Sequence, residues 1–205
     1  MSADVRVPTG NTFDKYGSSH PVVRRLMAGF ERTLDELFGQ AAPTSILDIG
    51  CGEGVLTEQW AARIGAGRVV GVDLEDGKLA AEWRTRERPN LEFRALDVTG
   101  GLPYAEDEFD LVCATEVLEH VPGPEAVVAE MARVAARHLI VSVPHEPLWR
   151  VLNVARGAYL RELGNTPGHV NHWTRRGFTT LLSNHGEVRE IRSPFPWTML
   201  LVRVG

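Results

Sequence analysis

Cysteine is scarce in this 205-residue chain. There are two, Cys51 and Cys113, and their spacing suggests neither a disulfide framework nor a zinc site. Each sits in or beside an apolar segment that reads as a buried strand, so both are expected to be reduced core residues. Long hydrophobic runs are missing too: nothing approaches the roughly 20 apolar residues that a membrane-spanning helix needs. The polar opening, residues 1–16, lacks the apolar stretch of a signal peptide. Basic charge is not in excess, since 22 Lys and Arg face 27 Asp and Glu for a net charge of −5. That balance gives no general electrostatic drive toward nucleic acid or an anionic membrane. Repeats, low-complexity tracts and linkers are likewise absent. The expectation is a cytoplasmic protein that engages neither nucleic acid nor membrane.

The remaining composition, 43% hydrophobic and 24% charged, suits one globular core, and a single domain over residues 1–205 is expected. A loose arm precedes a helix over 21–40 with apolar positions Val22, Val23, Leu26, Phe30, Leu34, Leu37 and Phe38. Strands over 45–49, 68–73, 91–96, 109–114 and 138–143 then alternate with helices over 53–64, 76–87 and 123–136. Such alternation predicts an α/β fold with a doubly wound, mostly parallel sheet. The pattern breaks after Pro144. Residues 145–172 read as an irregular insertion with one helical segment, followed by a helix over 174–184. Two final strands, 187–192 and 197–204, are joined by the short Ser193–Pro196 link, which favours an antiparallel hairpin. Seven strands result.

The most informative stretch is Ile46-Leu-Asp-Ile-Gly-Cys-Gly-Glu-Gly54. It is an apolar strand running into glycines that let the backbone turn sharply and approach a ligand. A loop built for phosphate uses the following helix N-terminus for an anion, usually with a lysine nearby. Here Asp48 and Glu53 bracket the loop and no lysine is present, which points to a ligand carrying an amino group or positive charge. A dinucleotide fingerprint is disfavoured, because Val55 stands where a further glycine is needed.

In a doubly wound sheet, ligands sit at the carboxyl ends of the strands. Those ends carry Asp48, Asp73, Asp97, Thr115-Glu116 and His145. Asp73 lies roughly 20 residues past the loop, where a carboxylate can accept both hydroxyls of a ribose. Four segments together, Leu47–Gly54, Val70–Asp73, Ala95–Val98 and Phe109–Val121, resemble the class I S-adenosylmethionine-dependent methyltransferases, in the small-molecule group that includes the ubiquinone and menaquinone enzymes. The resemblance implies a Rossmann-like seven-stranded fold and S-adenosyl-L-methionine as cofactor. It places the methionine amino and carboxylate groups on Asp48 and the backbone of Gly50, Gly52 and Gly54. Asp73 then takes the ribose, Leu74 the adenine face, Asp97 and Val98 the base, and Thr115 the sulfonium side. The Phe13–Tyr16 segment is expected to fold over the cofactor, with Tyr16 in contact.

Methyl transfer to a hydroxyl needs alignment and removal of a proton, and histidine suits the latter near neutral pH. His145, at the end of the fifth strand, is the first choice of base; His169 is second, with Glu116 as a polar acceptor contact. His20, His138 and His185 read as remote, and His120 as a residue orienting backbone or cofactor. His145, Glu146, His169 and His172 lack a tight metal-ligand spacing, and no metal is expected. In the insertion, Trp149 and Tyr159 are candidates for stacking on an acceptor. Helical spacing instead puts Leu148, Leu152, Ala155 and Tyr159 on a buried face, and a homodimer contact there is an option. The acceptor is expected to be a small hydroxylated metabolite, a sugar, polyketide or phenolic compound, with polyhydroxy acceptors slightly favoured. Carbon or nitrogen methylation and a non-catalytic cofactor-binding module are the alternatives.

Overall fold

The computed structural model describes residues 20–205 other than Glu87, Arg156 and Ala158. Tyr16 and the Phe13–Tyr16 segment lie outside the described residues. Strands β1 (Ser45–Ile49), β2 (Arg68–Asp73), β3 (Leu91–Ala95), β4 (Phe109–Thr115), β5 (Ala135–Pro144), β6 (Glu187–Arg192) and β7 (Trp197–Arg203) form one seven-stranded sheet. Its order is β3-β2-β1-β4-β5-β7-β6. The first five strands pair in parallel, and β7 runs antiparallel to both β5 and β6. The α/β doubly wound expectation and its closing hairpin are therefore met.

Helices α1 (Pro21–Ala41), α2 (Val55–Ile64), α3 (Gly77–Trp83), α4 (Pro124–Val134), α5 (Leu148–Ala155) and α6 (Arg175–Ser183) follow the strands in alternation. Strand pleating sends side chains to opposite faces, so each strand feeds two cores. On one face Ile46, Val69, Leu111, Cys113, Ile140 and Met199 pack against Phe30, Leu34, Leu37 and Phe38 of α1 and Trp60 of α2. On the other, Leu47, Ile49, Val112, Val141 and Leu200 pack against Val128 and Met131 of α4 and Phe178 of α6. Burying each such side chain stabilises the fold by roughly 1.5–3 kcal/mol. Both cysteines are free thiols, Cys113 in the core and Cys51 only partly buried in the loop after β1.

Two helix starts and stops differ from expectation for local reasons. Helix α2 begins at Val55 because Gly54 adopts the left-handed conformation, φ 78°, and closes the loop first. Helix α3 is capped by Asp76, whose side chain accepts from the Lys78 and Leu79 N–H groups. It ends at Trp83, whose ring stacks on Phe93 with centroids 5.4 Å apart and whose Nε1–H donates to the Gly52 carbonyl at 2.8 Å. A short third helix thus props the glycine loop.

Candidate active site

The strand order reverses between β1 and β4, and a cavity of about 1070 Å³ opens at the carboxyl ends of the strands there. At one end it is lined by Asp48, Gly50, Gly52, Asp73, Leu74, Asp97, Val98 and Thr115. Every one of these was singled out from sequence. Gly54 is buried one step behind the lining, so its part is to shape the loop. A Cβ at Gly50, φ 68°, would collide with Val117, and one at Gly54 would come within 2.5 Å of the Phe93 ring. Only glycine satisfies both the left-handed backbone and the space.

Carboxylates surround this end. Asp48 is 2% exposed, and Thr57 Oγ1–H donates to its Oδ2 at 2.6 Å. Burial, aided by the neighbouring Asp73 charge and opposed by the Thr57 bond, pushes its pKa up to about 7. Asp73 accepts the Gly52 N–H at 2.7 Å and the Leu74 N–H at 2.7 Å. Burial raises its pKa despite those bonds. Asp97 lines the cavity while serving as a cap, accepting the Thr99 N–H and hydroxyl at 2.9 and 2.6 Å, which lowers its pKa.

The other end is an apolar chamber. Val23, Leu26, Met27 and Phe30 of α1, Trp149 and Leu152 of α5, and Phe195 and Trp197 line it. Two tryptophans form its aromatic wall, with Trp149 and Trp197 centroids 6.1 Å apart and Phe30 edge-on to Trp197 at 5.0 Å. Leu152, Ala155 and Tyr159 face this chamber, not the core, and Tyr159 lies beyond the end of α5 in a turn with φ 54°. The buried residue of α5 is Asn153, whose Nδ2–H₂ donates to Gly164 O at 2.8 Å. Helical spacing grouped Leu152 and Ala155 correctly, but their shared face looks into the cavity and not into the core, and α5 ends before Tyr159.

Glu119, His120 and His169 also line the cavity. His145, the first sequence choice, is not among the lining residues. Its N–H donates to Pro196 O at 3.0 Å, its carbonyl accepts the Trp149 N–H at 2.9 Å, and it bridges to Trp173. These backbone bonds turn the chain into α5 immediately after β5. His172 is exposed, with Nε2 2.6 Å from Asn165 Oδ1. Of His145, Glu146, His169 and His172, whose spacing gave no reason to expect a metal site, only His169 lines the cavity. His20, expected to be remote, is at its edge. Glu116 also lines it, but φ 61° directs its carboxylate to Trp197, whose Nε1–H donates at 2.6 Å. Its part is to fix the tryptophan wall.

Sequence reasoning missed Glu119, the α1 wall and Trp197. Glu119-His120 follows Thr115-Glu116 directly, so proximity to the end of β4 was an available signal. Nothing local marks Trp197 as facing a cavity.

A glycine loop after the first strand, a carboxylate closing the second and a sheet ordered with its last strand inserted antiparallel define the class I S-adenosylmethionine-dependent methyltransferases. Residues 47–139, a little under half of the chain, match the family model described as "Methyltransferase domain". A ubiquinone biosynthesis O-methyltransferase from Nitrosomonas europaea is 37% identical over 102 residues, 49% of this chain and 43% of that protein. The chain thus spans less than half the length of the curated relative it matches. The magnesium protoporphyrin IX methyltransferase of Synechocystis, solved with bound SAH, has a TM-score of 0.66 at 18% identity, covering 92% of this chain and 90% of its own. A SAM-dependent methyltransferase from Aquifex aeolicus gives 0.68 at 16% identity, covering 91% and 94%. At these identities the structural likeness is one of fold.

Proposed function

We propose that this chain transfers the methyl group of S-adenosylmethionine to a hydroxyl of a small aromatic or otherwise largely apolar acceptor. The observation that carries this reading is the single cavity running from the acidic glycine loop to the tryptophan-walled chamber. In it, Asp48 and the loop amides hold the amino-acid end of the cofactor, Asp73 the ribose, and Leu74, Asp97 and Val98 the adenine, leaving the sulfonium near Thr115. Rotation of the Asp73 carboxylate, or sharing of its lone pairs, lets it keep a loop N–H while receiving the ribose hydroxyls. The apolar lining favours a phenolic ring over the polyhydroxy acceptor that the polar insertion suggested. Curated relatives with 34–37% identity over 46–49% of the chain carry the name of an O-methyltransferase, which supports oxygen as the methylated atom.

The transfer is an in-line displacement. The acceptor oxygen forms the O–CH₃ bond as the S–CH₃ bond breaks, and sulfur leaves as a neutral thioether. The hydroxyl proton passes to the Glu119–His120–His169 cluster, with His169 as its acceptor. Trp149 stacks beside His169, centroids 6.3 Å apart, where it can also flank an aromatic acceptor. Incubation with labelled S-adenosylmethionine and pooled phenols, sugars and amines, read by S-adenosylhomocysteine release and product mass, tests this. Turnover confined to phenols is expected. Cofactor binding without turnover on any pool, or methylation of amines alone, overturns it.

A further inference from the structure

Glu119, His120 and His169 come from two parts of the chain, the turn after β4 and the insertion after β5, yet each offers a ligand atom within 4.8 Å of the others. Their meeting is built by the backbone. The Glu119 carbonyl accepts the N–H groups of Val170 at 2.8 Å and Asn171 at 3.1 Å. Asn171 Nδ2–H₂ donates back to the carbonyls of Leu118 at 2.9 Å and Val121 at 2.6 Å. The two segments are clamped, and the three side chains share the cavity wall as a consequence.

The imidazoles are also oriented. His120 Nδ1 lies 3.0 Å from the Gly168 carbonyl, an acceptor only, so Nδ1 carries the hydrogen in this contact and Nε2 is the ring nitrogen left to face the cluster. That is the outer hydrogen bond which metal-bound histidines ordinarily make to fix their tautomer. The His120 and His169 rings meet edge to face with centroids 4.8 Å apart, and Trp149 backs the second ring. Glu119 is 2% exposed and His169 8%, so the donors are held in a confined site, not splayed in solvent.

We propose that these three residues form a binding site for a divalent first-row transition cation, with its remaining coordination positions facing the cavity. Two imidazoles and one carboxylate suit zinc, iron(II), cobalt(II) or manganese(II), whereas magnesium and calcium prefer oxygen donors throughout. Ligand atoms about 2.1 Å from a common ion are at most about 4.2 Å apart. In a tetrahedral site they are about 3.4 Å apart, so the widest observed pair closes by about 1.4 Å on loading, a movement shared between two side chains. The site itself stands whether or not the acceptor is a phenol.

The test is titration of the metal-stripped full chain with cobalt(II), followed by visible ligand-field absorption, and with zinc(II) against a chromophoric chelator. One equivalent of each is expected to bind, with zinc raising Tm and magnesium leaving it unchanged. Glu119→Gln and His169→Ala are each expected to weaken binding at least about 100-fold, while His172→Ala on the exposed side of the same loop leaves it intact. Circular dichroism of the metal-free variants separates loss of the site from loss of the fold. Absence of stoichiometric binding by the unmodified protein, or undiminished affinity in Glu119→Gln and His169→Ala, overturns the proposal.

Discussion

Replacing Asp48 with asparagine tests the electrostatics of the glycine loop most directly. The carboxyl is 2% exposed and its pKa rises from an ordinary 3.8 to about 7. Folding therefore holds a proton on Asp48 between about pH 4 and 7 that the unfolded chain releases. Its contribution to stability is complete below the lower value and is lost as pH climbs to the upper one. Over that window the loss amounts to roughly 4 kcal/mol at most, from 1.36 kcal/mol for each tenfold change in proton affinity. The Asp48→Asn side chain would keep a carbonyl oxygen for the Thr57 hydroxyl and has nothing to ionise. Urea unfolding of the cofactor-free protein at a series of pH values should give nearly equal stabilities at about pH 4. The variant should become progressively more stable than the parent toward about pH 8, by a few kcal/mol. Cofactor binding must move the other way, because its ammonium group selects the ionised carboxyl. Affinity for S-adenosylmethionine should fall about 10- to 100-fold in Asp48→Asn, the worth of a charge-assisted hydrogen bond. Parallel pH curves for the two proteins would refute the buried-carboxyl argument, and unchanged cofactor affinity would remove Asp48 from that role.

Other positions make equally definite demands. His145→Ala should leave turnover close to the parent's, whereas His169→Ala should lower it about 10²- to 10⁴-fold with little change in cofactor affinity; equal losses would return His145 to the site. Asp73→Asn should weaken cofactor binding measured by calorimetry, and retained affinity would dismiss the ribose assignment. Gly50→Ala, at φ 68° against Val117, should cost at least about 1–2 kcal/mol in unfolding free energy from the left-handed backbone alone, read in chemical denaturation.

The glycine-loop end of the cavity was legible because the residues that line it lie in contiguous segments. A strand, its terminal acid and its glycines are neighbours in sequence, and parallel pairing brings the next strand end beside them: Asp48 lies opposite Gly71 on β2 and Cys113 on β4. Period-two patterning then decides which residues enter the core, so the fold follows with it. The acceptor half is assembled differently. Its wall comes from α1, α5 and the start of β7, stretches far apart in the chain, and an apolar residue facing a cavity carries the same local signature as one facing the core. Leu26 and Phe30 sit on the same helical face, yet both look partly into the chamber while Leu34 and Leu37 are sealed beneath it.

His145 illustrates the limit most sharply. Its position at the carboxyl end of β5 fixes its height in the sheet but not the direction in which the chain departs. That direction is set by hydrogen bonds to Pro196 and Trp149 and by the bridge to Trp173, none of which has a local sequence signal. His169 gains its place for the converse reason. It lies in a loop without regular structure, and Asn171 pins that loop to Leu118 and Val121 across some fifty residues of chain. Removing the pin therefore separates location from chemistry. Asn171→Ala keeps every imidazole and carboxylate of the cluster but frees the loop that presents His169. If the clamp positions the cluster, zinc affinity and turnover should both drop in this variant while its circular dichroism stays that of the parent. Full retention of both would mean that the insertion is held by something other than these two hydrogen bonds.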